Sequence, residues 1–206
     1  MYLLIASTED ILAYFIKIDH NGDVNQKLKV ILAGNSIFVF AGSLLVPLYV
    51  VLVSRQGGTI ELAGILFGIP FLSSFVTELF IVRLKDKKSL DVMLLQANFL
   101  IRGAVWLVLA FTQTIPVLFL AQIVIGMTEA IGSPAFNSLV SENLDQKNHI
   151  REWGMWELVK NPLIALASAM GGFIVTIWGF RVLFIFMSTL AFLSLTYIRR
   201  EIVRQS

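Results

Sequence analysis

The chain has 206 residues, of which 57% are hydrophobic and only 15% charged, and its mean hydropathy is +0.80. Soluble domains carry about 25% charged residues, so this composition excludes an ordinary soluble protein and indicates an all-α protein that crosses a lipid bilayer several times. The net charge of +2 is small and cysteine is absent, so we expect no nucleic-acid partner and no disulfide.

The first segment, residues 1–27, is too short and too charged to span a bilayer. Ser7 and Asp10 resemble a helix-capping pair, and an apolar stripe follows them. This pattern predicts an amphipathic helix lying on the cytoplasmic surface of the membrane. A poorly ordered terminus is the alternative, and the sequence leaves both open.

Six apolar stretches follow, each close to the roughly 20 residues that a bilayer requires. They lie at about 29–53, 59–82, 90–112, 115–140, 153–178 and 180–198. Their short connections force neighbouring helices to run antiparallel. We therefore predict one six-helix transmembrane domain over 28–200, followed by a cytoplasmic tail over 201–206.

The lysines and arginines predict the orientation. Twelve of the sixteen fall on the side of the two termini, and only Arg55 and Arg181 fall on the opposite side. Basic residues favour the cytoplasmic side of a membrane. We expect a multi-pass protein of the cell (inner) membrane with both termini in the cytoplasm.

The fourth span carries a line of polar and small residues at helical spacing, which places them on one face. These are Gln122, Gly126, Glu129, Ser133 and Asn137. A carboxylate at this depth is costly unless it faces a partner or a water-filled cavity. The line therefore predicts one wall of a polar cavity; the alternative is that these side chains only join helices to one another.

Arg102 of the third span is the expected partner of Glu129. Counted from the turn near residue 114, the two residues lie at depths that differ by about 4.5 Å. We expect Lys160, Glu157 and Glu78 to join them as further intramembrane charges. These charges either neutralise one another and fix the helix register or take part in function, and the sequence leaves both open.

Enzyme motifs are missing. Both histidines, His20 and His149, lie outside the spans, and Ser133 has no base near it in sequence. No phosphate-binding loop or metal-binding motif occurs. We predict no enzymatic activity, no metal and no cofactor, so any transport is secondary or passive.

Several motifs resemble the N-terminal half of a major facilitator superfamily transporter, over about 29–200. Leu84, Asp86 and Lys87 match the family's loop motif between the second and third spans. The glycine, alanine and proline spacing from Gly126 to Pro134 is similar to its fourth-span pattern. The turn 179–184, Gly-Phe-Arg-Val-Leu-Phe, is similar to its G-W-R-x-x-F motif.

The resemblance implies secondary transport of a small-molecule substrate by alternating access, with a cavity near the membrane midplane. It implies that Asn35 and Phe38 line this cavity together with Gln122, Glu129, Ser133 and Asn137. It also implies that Asp86 and Lys87 form a gating loop. The alternative function is a non-transporting membrane scaffold or assembly protein that retains the fold.

A member of that family encloses its cavity between two six-helix halves. We therefore expect a parallel homodimer with the cavity between the two protomers. Small residues at four-residue spacing in the second and fifth spans are expected to form the interface: Gly64, Gly68, Ser168 and Gly172. A heterodimer with a separate second half, or a truncated product, is left open.

Overall fold

The protein is described by a computed structural model that covers residues 26–82, 90–142 and 149–204. Its helices are α1 (Gln26–Ser43), α2 (Tyr49–Arg55), α3 (Ile60–Ile81), α4 (Asp91–Phe111), α5 (Ile115–Ser141) and α6 (His149–Arg204). No strand occurs in these ranges, so the all-α prediction is confirmed. The amphipathic segment expected over 1–27, apart from the start of α1, and the gating-loop residues Asp86 and Lys87 lie outside the described residues.

The first membrane crossing is built from α1 and α2 together. Pro47 lies between them in a short 3-10 turn, Val46–Leu48. A proline lacks the backbone N–H of a regular helix and its ring crowds the preceding turn, which breaks the helix there. The combined segment Leu28–Arg55 is nevertheless long and apolar enough to cross a membrane.

Short turns gather at one end of the bundle, which we call the turn end. There Gly57 adopts φ +79°, and Thr59 caps α3 by accepting a hydrogen bond from the backbone N–H of Leu62 at 3.3 Å. Pro116 occupies the first turn of α5, where its missing N–H is harmless. The opposite end, where α1 begins and α6 begins and ends, is the terminal end.

Helix α6 consists of two helical parts that are joined at one non-helical residue. Its apolar part, Trp156–Glu201, has 46 residues, which as one straight helix would be about 69 Å long, more than twice a bilayer core. The contacts to the first crossing show a reversal: Gly171 approaches Leu44, Phe180 lies under Arg55, and Ile198 lies beside Gly34. Gly179, with φ 80° and ψ 175°, is the non-helical point where the chain turns back.

The described residues contain five apolar segments long enough to cross a membrane, where the sequence predicts six spans, and the last of the five is bent back at Gly179. A glycine is required there because φ near +80° strains any residue with a Cβ. Residues 149–178 are the first arm of α6 and residues 180–204 the second arm. The second arm continues to Arg204, beyond the span end expected near 198.

Close helix approaches hold the bundle together. A Cβ on Gly126 of α5 would overlap the carbonyl oxygen of Pro70, and Ser73 of α3 donates a hydrogen bond to the backbone oxygen of Ile123 at 2.7 Å. On the other side, Ser188 of the second arm donates to the backbone oxygen of Gly103 at 2.8 Å. Helix α3 thus packs on α5, and α4 packs on α6.

Helix α3 is the most peripheral of the spans. Only 6% of its membrane window is buried inside the chain, against 39% for the first crossing and for α5. It exposes large apolar residues, among them Phe71, Phe75 and Phe80. The predicted interface residues Gly64 and Gly68 belong to this helix.

Candidate functional site

An ion pair joins the middle of α4 to the middle of α5. Arg102, in the middle of α4, donates from Nη1 to Oε2 of Glu129 in the middle of α5 at 2.5 Å. The pair that the sequence predicts is therefore present. Its two side chains differ in environment: that of Arg102 is 16% exposed and that of Glu129 is 49% exposed. The carboxylate is the accessible member of the pair.

Aromatic rings hold the arginine. The guanidinium carbon of Arg102 lies 5.0 Å from the ring centre of Phe38 and 5.4 Å from that of Trp106. Phe38 packs in turn against Phe99, with ring centres 4.3 Å apart. Rings placed at these distances attract a cation through their negative faces, so Arg102 has partners besides Glu129.

Trp106 is a residue of this site that the sequence analysis missed. It lies one helical turn after Arg102, at i+4, and that spacing was the available signal. The signal was weak because tryptophan is common in membrane helices. Its contact with Phe38, at 5.7 Å between ring centres, depends on how α1 packs against α4.

A polar cavity of about 380 Å³ extends from the ion pair toward the terminal end. Five of the six residues expected in a substrate or proton cavity line it: Asn35, Phe38, Glu129, Ser133 and Asn137. The other residues on its wall are Val39, Gly42, Ser43, Val46, Asn98, Arg102, Gly132, Phe136, Trp156 and Lys160. The part of the polar line from Glu129 to Asn137 thus faces a cavity between helices, whereas Gly126 packs against Pro70 of α3. The role of the line in binding remains a prediction.

Asn98 lies in the wall of the polar cavity one turn from Arg102. A Cβ on Gly132 would overlap the Asn98 amide, so a glycine is needed for α5 to pass this side chain. Asn98 is 4% exposed, and among the described residues its Oδ1 atom has no hydrogen-bond partner. Buried polar atoms are normally paired with protein or water, so this amide oxygen is an exception in the wall of the cavity.

A second, aromatic cavity of about 300 Å³ extends from the ion pair toward the turn end. Its walls are Gly42, Leu45, Val46, Tyr49, Phe67, Pro70, Phe71, Ser74, Arg102, Trp106, Gln122, Ile125, Glu129 and Met187. Gln122 faces this cavity and does not line the polar one. At 100° per residue, the line from Gln122 to Asn137 drifts by about 60° around the helix, which carries its first member into the second cavity.

The two cavities meet at the ion pair. Four residues line both of them: Gly42, Val46, Arg102 and Glu129. The half-exposed carboxylate is therefore reachable from a polar cavity on one side and from an apolar, aromatic cavity on the other. This arrangement can receive a molecule that has one polar and one apolar part.

The other predicted charge partners lie in different parts of the structure. Lys160 lines the polar cavity together with the ion pair, and it pairs with Glu157 one turn earlier. Glu78 is not brought to the group: it lies exposed on α3 and accepts a hydrogen bond from Ser74 at 3.0 Å. Ser73 faces α5, and Glu78, five residues later, is rotated about 140° away from that contact.

Three of the four expected interface residues are not packed inside the chain. A Cβ on Gly64, Gly68 or Gly172 would meet no atom within 4 Å. Ser168 is half-buried on the first arm of α6. Within the described part of the chain, no three histidine, aspartate or glutamate side chains are placed to hold a metal ion.

Comparison with known proteins identifies a family to which this chain is similar. The sequence model of the Major Facilitator Superfamily matches residues 31–205, which is most of the chain. A comparison with curated proteins found no match. The matched range contains both cavities and the ion pair between them.

Proposed function

Because the chain belongs to the Major Facilitator Superfamily, a family of membrane transporters, we propose that it is a secondary transporter that moves a small solute by alternating access. The observation that carries the proposal is the half-exposed Glu129 at mid-membrane, open to two cavities. Charged residues at this depth are costly and are usually tied to a substrate or ion pathway. A purely structural ion pair has no need of a cavity on either side.

We propose further that a second copy of the chain closes the open side of the site. Ser133 and Asn137 are exposed on the same face as Glu129, and lipid against these side chains is unfavourable. Helix α3 and the first arm of α6 flank this face and carry the unpacked glycines Gly68 and Gly172. A parallel homodimer that buries the polar face and encloses one central cavity satisfies both features.

The proposal includes the orientation of the chain in the membrane. Lys29, Arg199 and Arg200 lie at the terminal end, in keeping with both termini in the cytoplasm of a cell whose inner membrane holds the protein. The polar cavity then faces the cytoplasm and the aromatic cavity faces the opposite side. Alternating access exposes Glu129 to one side at a time.

Solvent labelling tests the cavity against the scaffold alternative. Because the chain has no cysteine, a Ser133→Cys variant has a single thiol. We expect it to react with a membrane-impermeant maleimide in proteoliposomes, because water fills the polar cavity. The control is Leu120→Cys, exposed on the same helix but outside both cavities, which we expect to be protected by lipid. Protection of both thiols contradicts the transporter and supports a scaffold whose polar face is sealed.

Crosslinking tests the homodimer. In a twofold-symmetric dimer, a residue that contacts a second residue of the partner is matched by the same contact in the reverse direction. In the proposed dimer, α3 of each copy therefore lies beside the first arm of α6 of the other copy. Gly68 and Gly172 lie 8 and 7 residues from the turn end, hence at similar depth. We expect the Gly68→Cys/Gly172→Cys variant to give a covalent dimer with a short bismaleimide in membranes.

The control for this experiment is Leu100→Cys/Leu193→Cys, which places thiols at exposed positions on α4 and on the second arm of α6. We expect it to remain monomeric on a denaturing gel. If the control pair alone gives a dimer, the interface lies on α4 and the second arm of α6, which contradicts the proposed interface. If neither pair gives a dimer, a second copy does not close this face.

A further inference from the structure

The geometry points to an amphiphilic organic cation as the substrate class: its ammonium group is bound by Glu129 and its apolar body lies in the aromatic cavity. This inference rests on the proposed transport function and specifies what the site takes. It follows from three observations: which charge is accessible, which rings surround it, and how large the cavity is.

The accessible charge beside the aromatic cavity is negative. Arg102 and Glu129 are the charged residues on its wall, and the arginine is 16% exposed against 49% for the carboxylate. Phe38 and Trp106 cover the guanidinium. A cation that approaches Glu129 therefore meets a carboxylate, and Arg102 keeps its aromatic partners if its hydrogen bond to Glu129 lengthens.

The remaining nearby cation sets the orientation of the ligand. Lys160 lines the polar cavity and not the aromatic one, and it is paired with Glu157. A ligand cation placed in the polar cavity is close to Arg102 and Lys160 together. On the described wall of the aromatic cavity the charged residues are the two of the ion pair, so the body of the ligand is directed toward the turn end.

The rings of the aromatic cavity suit such a body. Tyr49, Phe67 and Phe71 form a continuous row, with ring centres 6.2 Å and 5.9 Å apart. Trp106 lies on the cavity wall next to the ion pair. Aromatic faces bind quaternary ammonium groups and apolar surface alike.

The volume limits the size of the ligand. At about 300 Å³, the aromatic cavity is at the small end of ligand pockets, which run from roughly 300 to 1,000 Å³. A molecule with a single ring or a short branched chain fits better than a polycyclic one. Benzyltrimethylammonium is a probe of this size and charge, and phenylmethanesulfonate is an anion of similar shape.

Equilibrium dialysis of the purified full chain in detergent tests the proposal. We expect saturable binding of radiolabelled benzyltrimethylammonium, no competition by phenylmethanesulfonate, and an affinity at least about tenfold lower in Glu129→Gln, because a charge-assisted contact is lost. Two phenylalanines of α3 provide a matched pair that does not depend on the ion pair: Phe71 is 68% exposed and lines the cavity, whereas Phe80 is 67% exposed and does not. Phe71→Ala is expected to weaken binding about two- to fivefold, and Phe80→Ala to leave it unchanged.

Competition by the sulfonate, no binding of the ammonium ion to the unaltered chain, or equal effects of the two phenylalanine variants overturns the proposal. The Phe71 and Phe80 comparison stands even if Glu129→Gln does not fold. Failure of the substrate class is also distinct from failure of transport. Labelling of the Ser133→Cys variant without ammonium binding removes only the substrate class, whereas protection of that thiol removes the transporter.

Discussion

Glu129→Gln is expected to lower the stability of the folded protein more than Arg102→Gln does, although both variants break the same ion pair. Removing Glu129 leaves the guanidinium of Arg102, 16% exposed, without its carboxylate. An unpaired buried charge costs about 3 kcal/mol or more. Removing Arg102 leaves a carboxylate that is 49% exposed to the cavities and can remain hydrated.

The double variant Arg102→Gln/Glu129→Gln separates stability from function. With neither charge present, no ion is left unpaired, so the double variant is expected to be more stable than Glu129→Gln alone. It still lacks the carboxylate, and we expect it to be inactive in uptake of benzyltrimethylammonium by proteoliposomes. Thermal unfolding in detergent and uptake measured on the same four proteins complete the cycle.

Two outcomes contradict this account of the pair. If the single variants are equally stable, the difference in their exposure does not decide the cost. If the double variant regains uptake, the carboxylate serves only to neutralise Arg102, and the pair has the structural role that the sequence analysis left open.

Gly171→Ala is expected to be the most damaging of the small substitutions. A Cβ at this position would overlap the carbonyl oxygen of Leu44 and lie 2.8 Å from its carbonyl carbon. These are backbone atoms of the residue that follows α1, so no side-chain rotation relieves the clash and the first arm of α6 must move away from the first crossing. Overpacking of this kind costs about 1–3 kcal/mol.

Gly154 of the same arm supplies the control. A Cβ on Gly154 would meet no atom within 4 Å, it is not part of the proposed interface, and alanine is the better helix former by up to about 1 kcal/mol. We expect Gly154→Ala to keep or slightly raise the thermal midpoint in detergent and Gly171→Ala to lower it clearly. Equal midpoints would show that α1 and α6 do not approach as closely as described.

The polar wall of the site could be predicted from sequence because helical spacing reports which residues share a face. Ser133 and Asn137 follow Glu129 at four-residue steps and do line one cavity with it. The pairing with Arg102 was also predictable, since a short turn fixes the relative depth of two antiparallel helices. The same spacing turns Gln122 about 60° away from Asn137, but it did not reveal that a separate cavity lies there, because that depends on where α3 and α5 cross.

Glu78 shows what depth along a helix does not predict. Its depth in α3 is compatible with the charged group, but depth is only one coordinate, and rotation about the helix axis takes its side chain away from α5. The contacts of Phe38 and Trp106 with Arg102 could likewise not be predicted from the sequence. Its members are separated by more than 60 residues along the chain, and no local pattern reports which rings will meet.

By itself, then, the sequence determined that this protein is a helical membrane bundle with a carboxylate and an arginine at the same depth, because hydropathy, helix period and short turns follow from local chemistry. Only the tertiary structure decided that the carboxylate lies between a polar and an aromatic cavity, and that two rings hold its partner. Those features depend on the angles and crossings of packed helices, which are set by contacts such as Gly126 on Pro70 and Gly171 on Leu44 between residues far apart in the chain.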